Sequence, residues 1–190
     1  MPTRTVDGRT ARAERTREKV VDALLELLDE GDSRPTSERI AGRAGVSERT
    51  IFQHFADREA LFGAVSARQY DRVMPTLELI PADLPLAERI ERFTEQRARL
   101  LERLSGVRRG ALLMEADSPV VADGLKMARR LKAAEVERVF AAEIEASPEL
   151  RAPLIAAGAW TTWEALRRHQ GLGKTPARDA MRLTFERLLS

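Results

Sequence analysis

Apolar residues recur at three- and four-residue intervals along most of the chain, and no segment alternates apolar and polar positions long enough to read as a strand. The pattern predicts an all-α fold. From Arg15 to Glu30 an apolar stripe runs through Val20, Val21, Leu24, Leu25, Leu27 and Leu28, and Gly31 offers a stop. Thr36 or Ser37 is placed to cap a short second helix with Ile40, Ala41 and Ala44 on its inner face, and Gly45-Val46 interrupts it. Ser47 is placed to cap a third helix running through Phe55. Asp57 does the same for a fourth, whose inner face is Leu61, Phe62, Val65 and Tyr70 and which Pro75 ends or bends.

Pro81 and Pro85 flank a break, which predicts a head at residues 13–73 behind a basic arm at residues 1–12, and a body at residues 74–190. The body reads as five more helices, at residues 86–104, 107–116, 119–146, 148–170 and 176–189, which brings the total to about nine. Pro119, Pro148 and Pro176 stand near helix starts, where a missing N–H costs little.

Composition narrows the class. The chain has 190 residues, of which 43% are hydrophobic and 33% charged, a globular balance and not a disordered one. It has no cysteine, which excludes disulfides and thiolate metal sites. The two histidines, His54 and His169, have no carboxylate pattern around them, so neither a metal nor a cofactor is expected. No nucleophile-elbow motif surrounds a serine, so an enzyme is not expected. The opening residues lack an apolar h-region and the apolar runs are too short for a bilayer, which predicts a cytoplasmic protein with no membrane partner. Net charge is only +2, but residues 1–20 carry six bases against three acids. Arg4, Arg9 and Arg12 of this arm either enter a minor groove or form a solvated tail.

Residues 36–55, TSERIAGRAGVSERTIFQHF, carry the chemistry. A helix-turn-helix needs a small residue where its helices cross (Ala41), a residue tolerant of positive φ in the turn (Gly45), and an apolar residue pinning the second helix to the first (Ile51). Such a unit presents its second helix to the DNA major groove. That helix offers Glu48, Arg49, Thr50, Gln53 and His54; arginine pairs with guanine and glutamate accepts from cytosine. Thr36, Ser37, Thr50, Gln53, His54 and Arg58 are candidates for phosphate contacts, which set register and not sequence.

The run AGVSERTIFQHFADREALF at residues 44–62, with the Thr36–Ala41 segment before it, resembles the TetR family of bacterial helix-turn-helix regulators. The shared pattern is a capping threonine, Ile-Ala, Ala-Gly-Val-Ser, an aromatic, His-Phe and a Lys-Glu-x-Leu type segment. The resemblance implies base contacts from Glu48, Arg49 and Phe52, and phosphate contacts from Thr36, Thr50, Gln53, His54 and Arg58. Phe52 replaces the usual tyrosine and gives up a hydroxyl; Arg58 replaces the usual lysine and keeps the charge.

A two-fold dimer would set two recognition helices about 34–36 Å apart, or a multiple of that, on a palindromic site in double-stranded DNA. The last two helices offer a surface for it. Ala156, Ala157, Gly158, Ala159, Thr161 and Thr162 permit close approach, followed by Ala177, Ala180, Met181, Thr184, Leu188 and Leu189. The resemblance implies a small-molecule effector in the body, with Phe93, Met114, Met127 and Trp160 as candidate pocket residues. Arg97 falls on the stripe Leu86–Ile90–Phe93–Leu100–Leu101–Leu104 and needs an anionic ligand, an internal carboxylate or a path to water. Gly171-Leu172-Gly173-Lys174-Thr175 has the ending of a phosphate-binding loop but lacks its first glycine and its preceding strand. The expected function is a ligand-controlled repressor. An activator of the same fold, and an all-α small-molecule-binding protein or enzyme without a DNA role, are the alternatives.

Overall fold

The computed structural model describes residues 8–190. Arg4 and the side chain of Arg9, both in the expected arm, lie outside the described residues. Among the described residues there are ten α-helices and no strand. They are α1 (Gly8–Asp29), α2 (Ser37–Ala44), α3 (Glu48–His54), α4 (Arg58–Val73), α5 (Leu86–Leu112), α6 (Pro119–Val139), α7 (Ala141–Ala146), α8 (Arg151–Ala157), α9 (Trp160–Glu164) and α10 (Lys174–Leu188). Two compact units divide the chain: residues up to 72 with Gly106–Ala122, and Val73–Ser105 with Asp123–Ser190.

In the first unit α1 begins at Gly8, earlier than the Arg15 its apolar stripe suggested, so Arg12 is a helical residue on the exposed face. The stripe is the unit's spine. Val20, Leu24, Leu25, Leu27 and Leu28 are buried, as are Ile40, Ala41, Ile51, Phe55, Leu61, Phe62 and Val65, and α1 packs on α2 and α3. Each leucine removed from water in this way contributes about 1.5–3 kcal/mol. Gly31 ends α1 in the left-handed region at φ 98°, and the N–H of Asp32 returns to the carbonyl of Leu27 at 3.0 Å. On α4 the inner face is Phe62, Val65, Gln69 and Val73. Tyr70, expected to face inward, is exposed, because it lies one helical step round from that stripe. Pro75 follows the end of α4 within a 3₁₀ turn, Met74–Thr76.

The break expected after residue 104 does not exist. α5 runs unbroken for 27 residues through Gly106 and Gly110. These glycines serve close approach. A Cβ on Gly106 would stand 2.5 Å from the carbonyl oxygen of Leu28, and one on Gly110 would stand 2.6 Å from the ring of Phe62.

In the second unit the core is a triad of rings from α5, the end of α6 and α10. Phe93, Phe140 and Phe185 meet pairwise at centroid distances of 5.1–5.3 Å. Two expected helices divide. The segment at 119–146 breaks at Phe140, which is fully buried and leaves helical geometry at φ −113°, ψ 31°. The segment at 148–170 becomes a 3₁₀ turn, α8, a break at Gly158-Ala159, and α9 continued by a π-helical turn, Ala165–His169. On α10, Ala177, Met181 and Phe185 form the inner stripe. Ala157, Gly158, Ala177 and Met181, expected at a partner surface, are therefore buried in their own unit. Ala156, Thr161, Leu183 and Thr184 are exposed.

Candidate nucleic-acid interface

Three local devices set α3. The Thr36 hydroxyl caps α2 by accepting from the N–H of Arg39 at 3.2 Å. Gly45 closes α2 in the left-handed region, at φ 67° and ψ 38°, and the N–H of Val46 bonds back to Ala41 at 3.0 Å. Ser47 then caps α3, its hydroxyl accepting from the N–H of Thr50 at 3.2 Å. Ala41 and Ile51 are both buried, as the motif requires of its crossing and its pin.

Ion pairs hold this turn to α1. Arg43 grips Glu30 through two bonds of 2.8 and 2.9 Å and reaches Glu26 at 3.4 Å, while Arg39 meets Asp32 at 2.7 Å. The hydrogen bond from Arg43 holds the Glu30 carboxyl below its usual range. The two arginines of α2 thus brace the scaffold. Arg17 lies over the ring of Phe55 at 4.9 Å, which anchors the other end of α3. Sequence reasoning missed these braces, because their partners are far apart in the chain and share no helical spacing.

With Ile51 and Phe55 inward, α3 turns Glu48, Arg49, Phe52 and Gln53 outward; His54 is half-buried. Phe52 is 62% exposed, the largest apolar exposure in the motif. Thr36 and Arg58 are exposed and Ser37 half-buried, on the helix starts that flank α3. Thr50 is half-buried, and its hydroxyl shares a 2.9 Å hydrogen bond with that of Ser47, so any phosphate contact from Thr50 competes with the cap.

The model of the family described as bacterial regulatory proteins, tetR family, matches residues 20–65, from the middle of α1 to the middle of α4. Residues 20–65 of this chain are thus similar to the tetR family. Over 87 residues the chain is 30% identical to the nucleoid occlusion factors SlmA of Yersinia enterocolitica and Yersinia pestis. That stretch is 45% of this chain and 40% of each relative, so the chain spans less than half the length of the curated relatives it matches. A transcriptional regulator from Rhodococcus sp. RHA1 superposes with a TM-score of 0.71 at 16% identity, covering 91% of this chain and 95% of its own. A tetR-family transcriptional regulator from Streptomyces coelicolor superposes at 0.63 with 15% identity, covering 92% and 80%. At such identities these two likenesses describe the fold.

Outside the head, the five residues expected to line a pocket have separate duties. Phe93 belongs to the ring triad. Trp160 donates to the hydroxyl of Ser105 at 3.0 Å. Met127 is exposed on α6, and Met114 is half-buried in the turn after α5, within the first unit. Arg97 is 1% exposed and finds its partners inside the protein. It donates to Glu135 at 3.0 Å and to the carbonyls of Lys132 at 3.0 Å and Gly158 at 2.9 Å, and stacks on Phe93 at 4.6 Å. Burial lowers its pKa and Glu135 opposes that. Of the three ways of satisfying Arg97, the internal carboxylate is the one realised.

Proposed function

We propose that the chain is a sequence-specific DNA-binding regulator of transcription. It acts as a homodimeric repressor in the cytoplasm, and a small ligand in the second unit controls its operator binding. The observation that carries this reading is the division of α3. One face is locked into the core by Ile51 and Phe55, while the other presents Glu48, Arg49, Gln53 and an uncovered Phe52. A hairpin built only to pack has no need of an outer face that gathers hydrogen-bonding groups around an exposed ring. The match to the tetR family over residues 20–65 supports the same reading. So does the fact that no described helix is long and apolar enough to cross a membrane.

Glu48 and Arg49 read base edges, Phe52 gives an apolar contact to a thymine methyl, and Thr36, Ser37, Gln53, His54 and Arg58 fix the phosphate register. The partner surface falls on the outward sides of α8, α9 and α10, where Ala156, Thr161, Leu183 and Thr184 are exposed. Fluorescence anisotropy of a labelled duplex of arbitrary sequence tests the electrostatic part. Affinity is expected at about 10⁻⁴–10⁻⁶ M near physiological salt, with its logarithm falling linearly as log salt rises. Binding that is absent at low salt, or indifferent to salt, contradicts the reading.

A further inference from the structure

The second unit holds a cleft of about 300 Å³ lined by residues of α5, α9 and α10. That is the lower end of the range for small-molecule sites. Its charge is one-sided. Arg99 and Arg103 reach it from adjacent turns of α5, and Lys174 and Arg178 from adjacent turns of α10. Arg178 also pairs with Asp179 at 2.7 Å, and Arg103 donates to the Thr76 hydroxyl at 3.2 Å; the two carboxylates in the lining are engaged as well. Glu102 is committed to Arg167, which grips it through two bonds of 2.9 Å, and to the indole N–H of Trp163 at 3.2 Å; Lys174 stands farther off at 3.7 Å. Glu95 meets Arg99 at 2.5 Å in an exposed pair one turn apart, a pairing of small net worth that a bound anion can replace.

The remaining lining is the buried, apolar Ala98 and Trp163, with the exposed Thr175 at the start of α10. The start of α10 adds to the cationic character. No side chain caps it, and the N–H groups of its first residues, Lys174 and Thr175, have no partner within the helix. The glycine-lysine-threonine run is therefore an open helix start beside a cationic cleft, not a nucleotide loop.

We propose that this cleft binds a small organic anion. Arg99, Lys174 and Arg178 hold its carboxylate or phosphate group, and its apolar part lies on Ala98 and Trp163. This deepens the ligand-controlled reading by naming the class of ligand, and only the anion's role as effector rests on that reading.

Isothermal titration calorimetry of the full chain with benzoate, its neutral analogue benzamide and inorganic phosphate tests the site. Saturable binding of benzoate is expected, at least tenfold tighter than benzamide; saturation by inorganic phosphate alone would instead identify a phosphate ligand. Lys174 and Arg99 have side chains 72% and 58% exposed, so Lys174→Gln and Arg99→Gln leave the fold intact. Each is expected to weaken the anion about tenfold, the scale of one charge-assisted hydrogen bond. Three results would overturn the proposal: saturation by neither anion, benzamide binding as tightly as the anions, or both variants binding like the wild type. DNA affinity, measured separately, keeps the two claims apart. A chain that binds DNA but no anion loses only the cleft, and one that binds the anion but no DNA loses only the regulator reading.

Discussion

Phe52 on α3 and Phe55, the residue that caps its end, lie three residues apart and have opposite fates. Phe52 is 62% exposed, while Phe55 is 3% exposed beneath Arg17. The outward ring and Arg49 share the exposed face of α3 that is proposed to read bases. Arg49→Ala is expected to relax base choice at one position of each half-site, with about 1–3 kcal/mol of discrimination lost there. His54→Ala is expected to weaken all sequences about equally. Binding-site selection on both variants checks the pair; unchanged preferences for Arg49→Ala, or a loss confined to one base for His54→Ala, would reverse the roles. The turn itself rests on one backbone angle. An added Cβ meets nothing within 4 Å at Gly42 or at Gly45, but only Gly45 has positive φ, at 67°. Gly45→Ala is therefore expected to cost about 1–2 kcal/mol in chemical denaturation, while Gly42→Ala is neutral or stabilising. Equal effects at the two sites would remove the strain argument.

At the scale of elements, α5 and α6 carry the internal tensions of the fold. Gly106 and Gly110 let α5 pass against the end of α1 and against Phe62. Gly106→Ala is expected to cost about 1–3 kcal/mol, because its Cβ would meet backbone rather than a flexible side chain. A loss below about 0.5 kcal/mol, the usual scale of a neutral surface change, would show that the two helices separate freely. On the other side of α5, Arg89 donates to Glu143 at 2.6 and 2.8 Å and to the carbonyl of Val139 at 2.8 Å. The guanidinium holds the Glu143 carboxyl below its usual range. A carboxyl depressed in the folded state stabilises the fold above its unfolded pKa, about 4.3, and that stability drains away as pH falls through the folded value. Urea midpoints between pH 7 and pH 3 are expected to fall further for the wild type than for Glu143→Gln, which starts lower at pH 7. Parallel curves would contradict this.

Over the whole molecule, legibility follows how local the determining physics is. Thr36, Gly45, Ser47 and Asp57 act within four residues of themselves, and each does in the structure what its type and place announce. The break at Phe140 and the split at Gly158 answer to tertiary demands. One buries a ring in the triad; the other frees a carbonyl for Arg97, 61 residues away. Periodicity cannot see either, and it likewise placed Tyr70 inward and a helix end before Gly106. The cationic cleft escaped because Arg99 and Lys174 lie far apart in the chain, each reading alone as solvated charge.

The most direct test of the account is selection of random duplex DNA on the full-length protein, followed by sequencing. An enriched palindrome is expected, with half-sites about one helical turn, or a multiple of it, apart. No enrichment at low salt from a folded, dimeric protein, with or without benzoate or phosphate present, would contradict it.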